Sequence, residues 1–258
     1  MFSRQFMRAA LGHRRLGSGR SNVRKCSGAA GECTDAALVR IKRAGCSPVV
    51  LANERASHIY LLPGLLDSCE SKQLLSAMLE WKHWARESDD FGPQDRLTAY
   101  FGDVGADFAY VGLKLTPRPW LPCLLEPLER VQRVVASAYG VRLTGCLANY
   151  YSRGTSHIPW HSDEVRAHGA AKLIASLSVG GERSMGLRNI ATGEERFIRL
   201  PAGSVLVQAG EAQTHWQHCL PLESTDSPLR ISLTFRSIEI GFESGRAPPS
   251  GLHAKQSD

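Results

Sequence analysis

The sequence predicts an α+β fold in which helices come first and an antiparallel β-sandwich or jelly roll follows. Three observations carry this. The 258 residues are 43% hydrophobic with ordinary glycine and proline content, enough to bury one substantial core or two very small ones. Two segments in the first 140 residues place apolar side chains at helical spacing. From Arg142 onward the period changes to two, punctuated by glycine and proline at intervals typical of a sandwich. The same composition excludes disorder throughout, a collagen-like repeat and a disulfide-dense mini-protein. No run of 18 uncharged apolar residues occurs, so no membrane span is expected.

Residues 1–31 hold seven basic side chains (Arg4, Arg8, Arg14, Arg15, Arg20, Arg24, Lys25) and no acidic one. The whole chain carries 31 Lys+Arg and 25 Asp+Glu; removing those seven leaves 24 against 25, a net charge of −1 for residues 32–258. A polyanionic partner must therefore be held by a local patch and not by the global field. Phe2, Phe6, Met7, Ala10 and Leu11 can form one apolar helical face opposite arginines, the pattern of a mitochondrial transit peptide. The alternative is a disordered basic arm that touches nucleic acid or serves as a nuclear address. Residues 32–56 read as a linker, 57–240 as the folded domain, and 241–258, rich in Gly, Pro and Ser, as a flexible tail.

Within the domain, His58-Ile59-Tyr60-Leu61-Leu62 is a short apolar run closed by Pro63-Gly64 and reads as a strand. Asp67 or Ser68 caps a helix with Leu74, Leu75, Met78 and Leu79 on one face. A second helix follows Pro122 through Leu124, Leu128, Val131, Val135 and Ala138 and stops at Gly140. Strands then alternate: Ile174, Ser176 and Ser178 against Ala175, Leu177 and Val179, and Val205 and Val207 after Gly203. The clearest has Leu229, Ile231, Leu233 and Phe235 on one face and Arg230, Ser232, Thr234 and Arg236 on the other. The seven cysteines are scattered without a CxxC pair, which disfavours a zinc ribbon and suits a reducing compartment. No GxGxxG or P-loop motif supports nucleotide binding.

Three features carry chemistry. His161-Ser162-Asp163 places an imidazole and a carboxylate at i and i+2, which on a strand share one face and can share one metal. THWQHCLP offers His215 and His218 as a third ligand. Two histidines and one carboxylate suit Fe(II) and leave three open positions, two for a bidentate 2-oxo acid and one for O2. Arg230 and Arg236, six residues apart, face the same way on a strand. Either they point into the sandwich and need anionic partners, which a keto diacid supplies, or the strand lies at an edge and both are solvated.

The run CLANYYSRGTSHIPWHSDE, with IASLS, GSVLVQAGEAQTHWQHCLP and RISLTFR after it, resembles the AlkB family of Fe(II)/2-oxoglutarate dioxygenases. RLTAYFGD and GLKLTPRPWLP resemble the branch that dealkylates DNA and RNA bases, and the resemblance covers roughly residues 58–240. It implies a double-stranded β-helix (jelly-roll) core with N-terminal helices packed on one sheet. It implies Fe(II) held by His161, Asp163 and His218, with His215 as a neighbour that shapes the pocket. For 2-oxoglutarate it implies Arg230 at the distal carboxylate, Arg236 near the carboxylate that chelates iron, and Asn149 and Tyr151 as further hydrogen-bond partners. For the nucleobase it implies Tyr110 as a stacking aromatic, Arg96 as a basic contact, and an acid near the exocyclic amine.

Two departures matter. The acid expected two residues after Asp163 is replaced by Val165, with Glu164 one position earlier. The segment Glu87-Ser88-Asp89-Asp90-Phe91-Gly92-Pro93, where duplex-active members have a wedge hairpin, is short and acidic. Phe91 remains as a wedge, but the acids repel phosphate, so single-stranded DNA or RNA is the expected partner. The expected activity is oxidative dealkylation of 1-methyladenine and 3-methylcytosine by a monomer using Fe(II), 2-oxoglutarate and O2, with succinate, CO2 and formaldehyde released. The alternatives are an RNA demethylase or protein hydroxylase on the same scaffold, or a catalytically silent nucleic-acid-binding module.

Overall fold

The computed structural model describes residues 36–240 apart from 90, 91, 111, 153, 166, 167 and 170. The basic arm, the tail and Phe91, with the expectations attached to them, lie outside the described residues. No helix among the described residues is long and apolar enough to cross a membrane.

The first elements correct the linker reading of 32–56. Helix α1 (Ala36–Arg43) buries Ala37, Leu38 and Ile41, and strand β1 (Val49–Glu54) pairs with β2 (Ser57–Leu62) across a two-residue turn. Short length hid α1, and the exposed Val49 and Val50 of an edge strand gave β1 no alternation to read. Arg55 and Ala56 turn the chain with positive φ of 48° and 57°. Arg196 Nη1 donates to the Leu51 carbonyl at 2.9 Å and covers part of this edge.

Helix α2 (Ser68–Glu80) starts where expected, on a reciprocal cap. Asp67 accepts from the backbone N–H groups of Cys69 and Glu70, while Glu70 accepts from the Asp67 N–H at 2.8 Å. Leu74 and Met78 are buried, but Leu79 turns to solvent. Asp67→Ala is expected to cost about 1 kcal/mol, the usual loss for an N-cap, read as a lower urea midpoint. An unchanged midpoint would remove the cap from the account.

Two small ribbons follow: β3 (Ser88–Asp89) with β4 (Gly92–Pro93), and β6 (Phe108–Tyr110) with β7 (Leu113–Leu115). Between them runs β5 (Leu97–Gly102). Helix α3 (Pro122–Val134) opens with proline at a position that needs no N–H. The sequence suggests one helix to Gly140; instead α3 tightens into a 3-10 turn over Ala136–Tyr139. Gly140 ends it at φ 69°, with its N–H bonded to the carbonyls of Ala136 and Ser137.

The remaining strands are β8 (Gly145–Tyr151), β9 (Ile158–His161), β10 (Ile174–Gly180), β11 (Arg183–Asn189), β12 (Glu195–Leu200), β13 (Val205–Gly210), β14 (Trp216–Leu220) and β15 (Arg230–Arg236). A one-turn helix α4 (Ala212–His215) precedes β14. They form a seven-stranded sheet, β1-β2-β13-β10-β15-β8-β5, and a four-stranded sheet, β12-β11-β14-β9, paired antiparallel throughout. The order of helices first and sandwich second is therefore only partly right. β1, β2 and β5 come before α3 yet belong to the large sheet, because their partners lie far away in sequence.

Alternation along the large sheet separates two interiors. Ile231, Leu233 and Phe235 of β15, with Ala175, Leu177 and Val179 of β10, pack against Leu38, Ile41, Leu74, Met78, Leu124 and Val131 of the three helices. On the opposite face Ile59 and Leu206 meet Met185, Leu187, Leu200 and Trp216 of the small sheet. That second core fills one end of the space between the sheets. At the other end β8, β10 and β15 present Asn149, Ser176, Ser178, Arg230, Ser232, Thr234 and Arg236, all buried. β15 lies between β10 and β8, which overturns the edge-strand alternative for its arginines.

Candidate active site

The polar end of the sandwich is a cavity of about 700 Å³. His161 is the last residue of β9 and stands opposite His218 of β14, ring centroids 4.2 Å apart. Asp163 lies beyond the strand, so strand alternation alone does not aim it. Its backbone N–H donates to Gln213 Oε1 at 2.8 Å, Gln213 donates to Gln208 Oε1 at 2.9 Å, and Ser162 Oγ donates to the Trp216 carbonyl at 3.0 Å. These bonds fold the carboxylate back against the two rings. Oδ1 sits 3.4 Å from His161 Nε2 and 3.7 Å from His218 Nε2, and one donor atom from each residue lies within 4.8 Å of the others.

The ring orientation of His161 and the electrostatics of His218 and Asp163 suit a cation. His161 Nδ1 lies 2.9 Å from the Pro159 carbonyl, which can only accept, so Nδ1 donates there and Nε2 is the ring nitrogen turned to the cluster. Burial, reinforced by His161 and Arg236 against the pull of Asp163, pushes His218 down to about 3 and keeps it neutral. Burial on its own would raise Asp163. The Arg236 guanidinium, 2.6 Å from Oδ2, together with His161 and His218, holds that carboxyl well below the usual range. Two imidazoles and one carboxylate, lining the cavity together, fit Fe(II).

Arg230 is 1% exposed. Its Nη2 donates to Ser178 Oγ at 3.0 Å and Ser232 Oγ at 3.4 Å, and its guanidinium carbon lies 5.4 Å from the Tyr151 ring. Among the described residues it has no carboxylate partner, and burial lowers its pKa. Arg183, equally buried, shows the contrast: it faces Glu223 at 3.0 Å and donates to the carbonyls of Gly154, Ser156 and Pro221. A desolvated guanidinium lining a cavity without its own acid is matched by a ligand carboxylate. Arg236 lines the same cavity and holds Asp163, with its guanidinium carbon 4.7 Å from the Phe108 ring centre.

Asn149 and Tyr151 line the same cavity on β8, and Arg96, Tyr110, Glu164 and Val165 line it too. Arg96 Nε donates to Asn149 Oδ1 at 2.8 Å. Tyr110 stacks on Phe108, centroids 5.4 Å apart at 24°, and its hydroxyl meets the buried Gln94 amide. His215 does not shape the cavity. Its Nδ1 lies 2.9 Å from Ser57 Oγ, and the neighbouring Thr214 lines the wall instead. Sequence reasoning missed Phe108, Gln94, Gln208 and Gln213. The glutamines act by individual side-chain hydrogen bonds and leave no periodic trace.

It also missed His168, fully buried 6.0 Å from the Phe108 ring, with neither ring nitrogen hydrogen-bonded among the described residues. Burial, then the field of Arg236, pushes it down to about 3. Between pH 6.5 and 3 the unfolded chain binds a proton here that the folded chain does not, so stability rises with pH across that window. The metal-free protein should lose stability as pH falls from 7 to 5, and His168→Leu should lose less. Parallel urea midpoints for the two proteins would contradict this.

Residues 58–236 match the family model of the 2OG-Fe(II) oxygenase superfamily. The rat alpha-ketoglutarate-dependent dioxygenase alkB homolog 3 is 30% identical over 212 residues, covering 77% of this chain and 70% of its own. The mouse protein of the same name is 29% identical over the same length. The chain belongs to the AlkB family of 2OG-Fe(II) oxygenases. The mouse DNA oxidative demethylase ALKBH2 is 36% identical over 151 residues, 55% of this chain and 62% of that one. The solved structure of OsALKBH1 shares the fold, with TM-score 0.51 at 13% identity over 69% of this chain and 96% of that one. This AlkB-family chain is accordingly a dioxygenase that uses Fe(II), 2-oxoglutarate and O2, and its His-Asp-His cluster and unpaired buried arginine agree with both bound groups.

Proposed function

We propose that this oxygenase removes N-linked alkyl groups such as those of 1-methyladenine and 3-methylcytosine from nucleic acid, with single strands preferred. The observation that carries this is one continuous cavity with two different ends. The Arg230, Ser232 and Asn149 end suits a small dianion, and the Phe108–Tyr110 stack with Arg96 and Glu164 suits a flat ring. About 700 Å³ holds a keto diacid and a base together. The named DNA oxidative demethylases among its relatives support the substrate class.

In this reading His161, Asp163 and His218 hold the iron, and Arg230, Asn149 and Tyr151 hold 2-oxoglutarate. Arg236 keeps Asp163 ionised and aimed. With Fe(II) bound, O2 oxidatively decarboxylates 2-oxoglutarate to succinate and CO2 and supplies one oxygen atom to the alkyl C–H bond. The hydroxymethyl product is a hemiaminal. Its C–N bond breaks as the hydroxyl loses its proton, the ring nitrogen keeps the electron pair, and formaldehyde leaves. Tyr110 stacks on the flipped base, a contact worth about 1–3 kcal/mol. The carboxylate of Glu164, one residue from the position Val165 vacates, complements a cationic methylated base. The preference for single strands rests on the acidic Glu87–Asp90 sequence and the two-residue strands of the β3–β4 ribbon.

The test is formaldehyde release and base restoration on DNA and RNA oligomers, single-stranded and duplex, with a methylated peptide as a further arm. Turnover on single-stranded methylated bases is expected. Succinate formed only with the peptide would replace the reading by a protein hydroxylase. Faster turnover on duplex would overturn the strand preference.

A further inference from the structure

Three consecutive residues after the β3–β4 ribbon make three separate contacts, two of them with cavity-lining residues. Gln94 meets the Tyr110 hydroxyl, Asp95 Oδ2 lies 3.0 Å from His157 Nδ1 in the loop ahead of β9, and Arg96 Nε donates to Asn149 Oδ1 at 2.8 Å. The last contact fixes an orientation as well as a place. A guanidinium only donates, so the Asn149 amide must turn its oxygen to Arg96 and its Nδ2 away from it. Asn149 stands opposite Ser232 in the β8–β15 register, on the cavity wall it shares with Arg230. Among the described residues Nδ2 donates to no other group, so it is a donor held ready beside the guanidinium that lacks a carboxylate. Arg96 also lines the cavity, and its two Nη groups make no bond to any described residue.

We infer that Arg96 is a positioning residue that couples the two ends of the cavity: its Nε sets the Asn149 amide for 2-oxoglutarate, and its Nη groups sense the nucleic-acid substrate. The inference rests on the proposed dealkylase reading. Engagement of the Nη groups by a base or phosphate restricts the Arg96 side chain to the rotamer that bonds Asn149. Substrate then tightens the co-substrate, and by linkage the co-substrate tightens substrate by the same factor. Free Arg96 samples other rotamers, which leaves the amide free to flip and present its oxygen to a carboxylate.

The experiment is equilibrium binding of 2-oxoglutarate to the Mn(II)-loaded protein, with and without a single-stranded oligomer carrying 1-methyladenine. The proteins are wild type, Arg96→Lys, Asn149→Ala and the double variant. Arg96→Lys keeps the charge but loses the Nε donor, and 2-oxoglutarate should bind about 3- to 10-fold more weakly even without oligomer. The oligomer should tighten 2-oxoglutarate about fivefold or more in the wild type and leave Arg96→Lys unchanged. The double variant should bind no more weakly than Asn149→Ala alone, because both changes remove one interaction. Wild-type affinity in Arg96→Lys, additive losses in the double variant, or an oligomer without effect on the wild type would each overturn the inference. Failure of the wild type to bind 2-oxoglutarate at all would instead overturn the assignment of the cavity.

Discussion

Arg230→Met is expected to abolish the stabilisation that 2-oxoglutarate gives the Mn(II)-loaded protein while leaving the fold intact. Methionine has similar length and no charge, so the core face of β15 stays packed. Arg230 is 1% exposed and its bonds among the described residues are to hydroxyl groups, so its removal strands no acid. What is lost is the guanidinium fork toward a ligand carboxylate. Removing one partner of a buried charge pair costs about 2–5 kcal/mol, which corresponds to about 30-fold to several thousandfold in 2-oxoglutarate affinity. A ligand at 100 times its Kd stabilises by about 2.7 kcal/mol, and at the same concentration the variant should show almost none of that shift. Arg230→Lys should fall between the two, since an ammonium keeps the charge but not the bidentate geometry. A full 2-oxoglutarate thermal shift in Arg230→Met would move the distal carboxylate away from this residue.

Arg230 also marks what the sequence makes legible. Its alternation with Ile231 states that it faces away from the helices, but alternation does not say whether the far face is solvent or a second sheet. The motif order HxD, H, RxxxxxR supplied that through family resemblance, and the pairing of β15 between β10 and β8 supplies it physically. His161 and Asp163 were legible as a pair. The reason the pair works was not: β9 ends at His161, and the carboxylate is aimed by the bonds of Asp163 to Gln213 and of Ser162 to Trp216, from elements some fifty residues further on. His215 shows the converse. The family resemblance placed it at the pocket, but α4 ends at His215 and turns it to Ser57. β1 and α1 escaped because an edge strand with one solvated flank and an eight-residue helix carry too few periods to register.

Asp163→Asn is expected to reduce turnover to background by removing a metal ligand, and a paired variant separates that role from the ion pair. The amide keeps the shape of the carboxylate but not its charge. Loss of an outer hydrogen-bond partner alone typically costs about 10–100-fold in metal affinity, so loss of the carboxylate ligand should exceed about 100-fold. The same change leaves Arg236, 4% exposed, without its anion, and breaking a buried pair from one side costs about 3–5 kcal/mol of stability. Lower activity could then reflect unfolding alone. Asp163→Asn combined with Arg236→Gln removes both charges and should recover most of that stability, because neither side is left unpaired. If Asp163 holds the metal, the double variant folds well and still neither retains iron nor forms succinate. Recovery of iron and turnover together with stability would show that the carboxylate serves Arg236 and not the metal. Metal content measured on the folded fraction, beside the urea midpoint of each protein, distinguishes the two, since only ligand loss separates iron retention from stability.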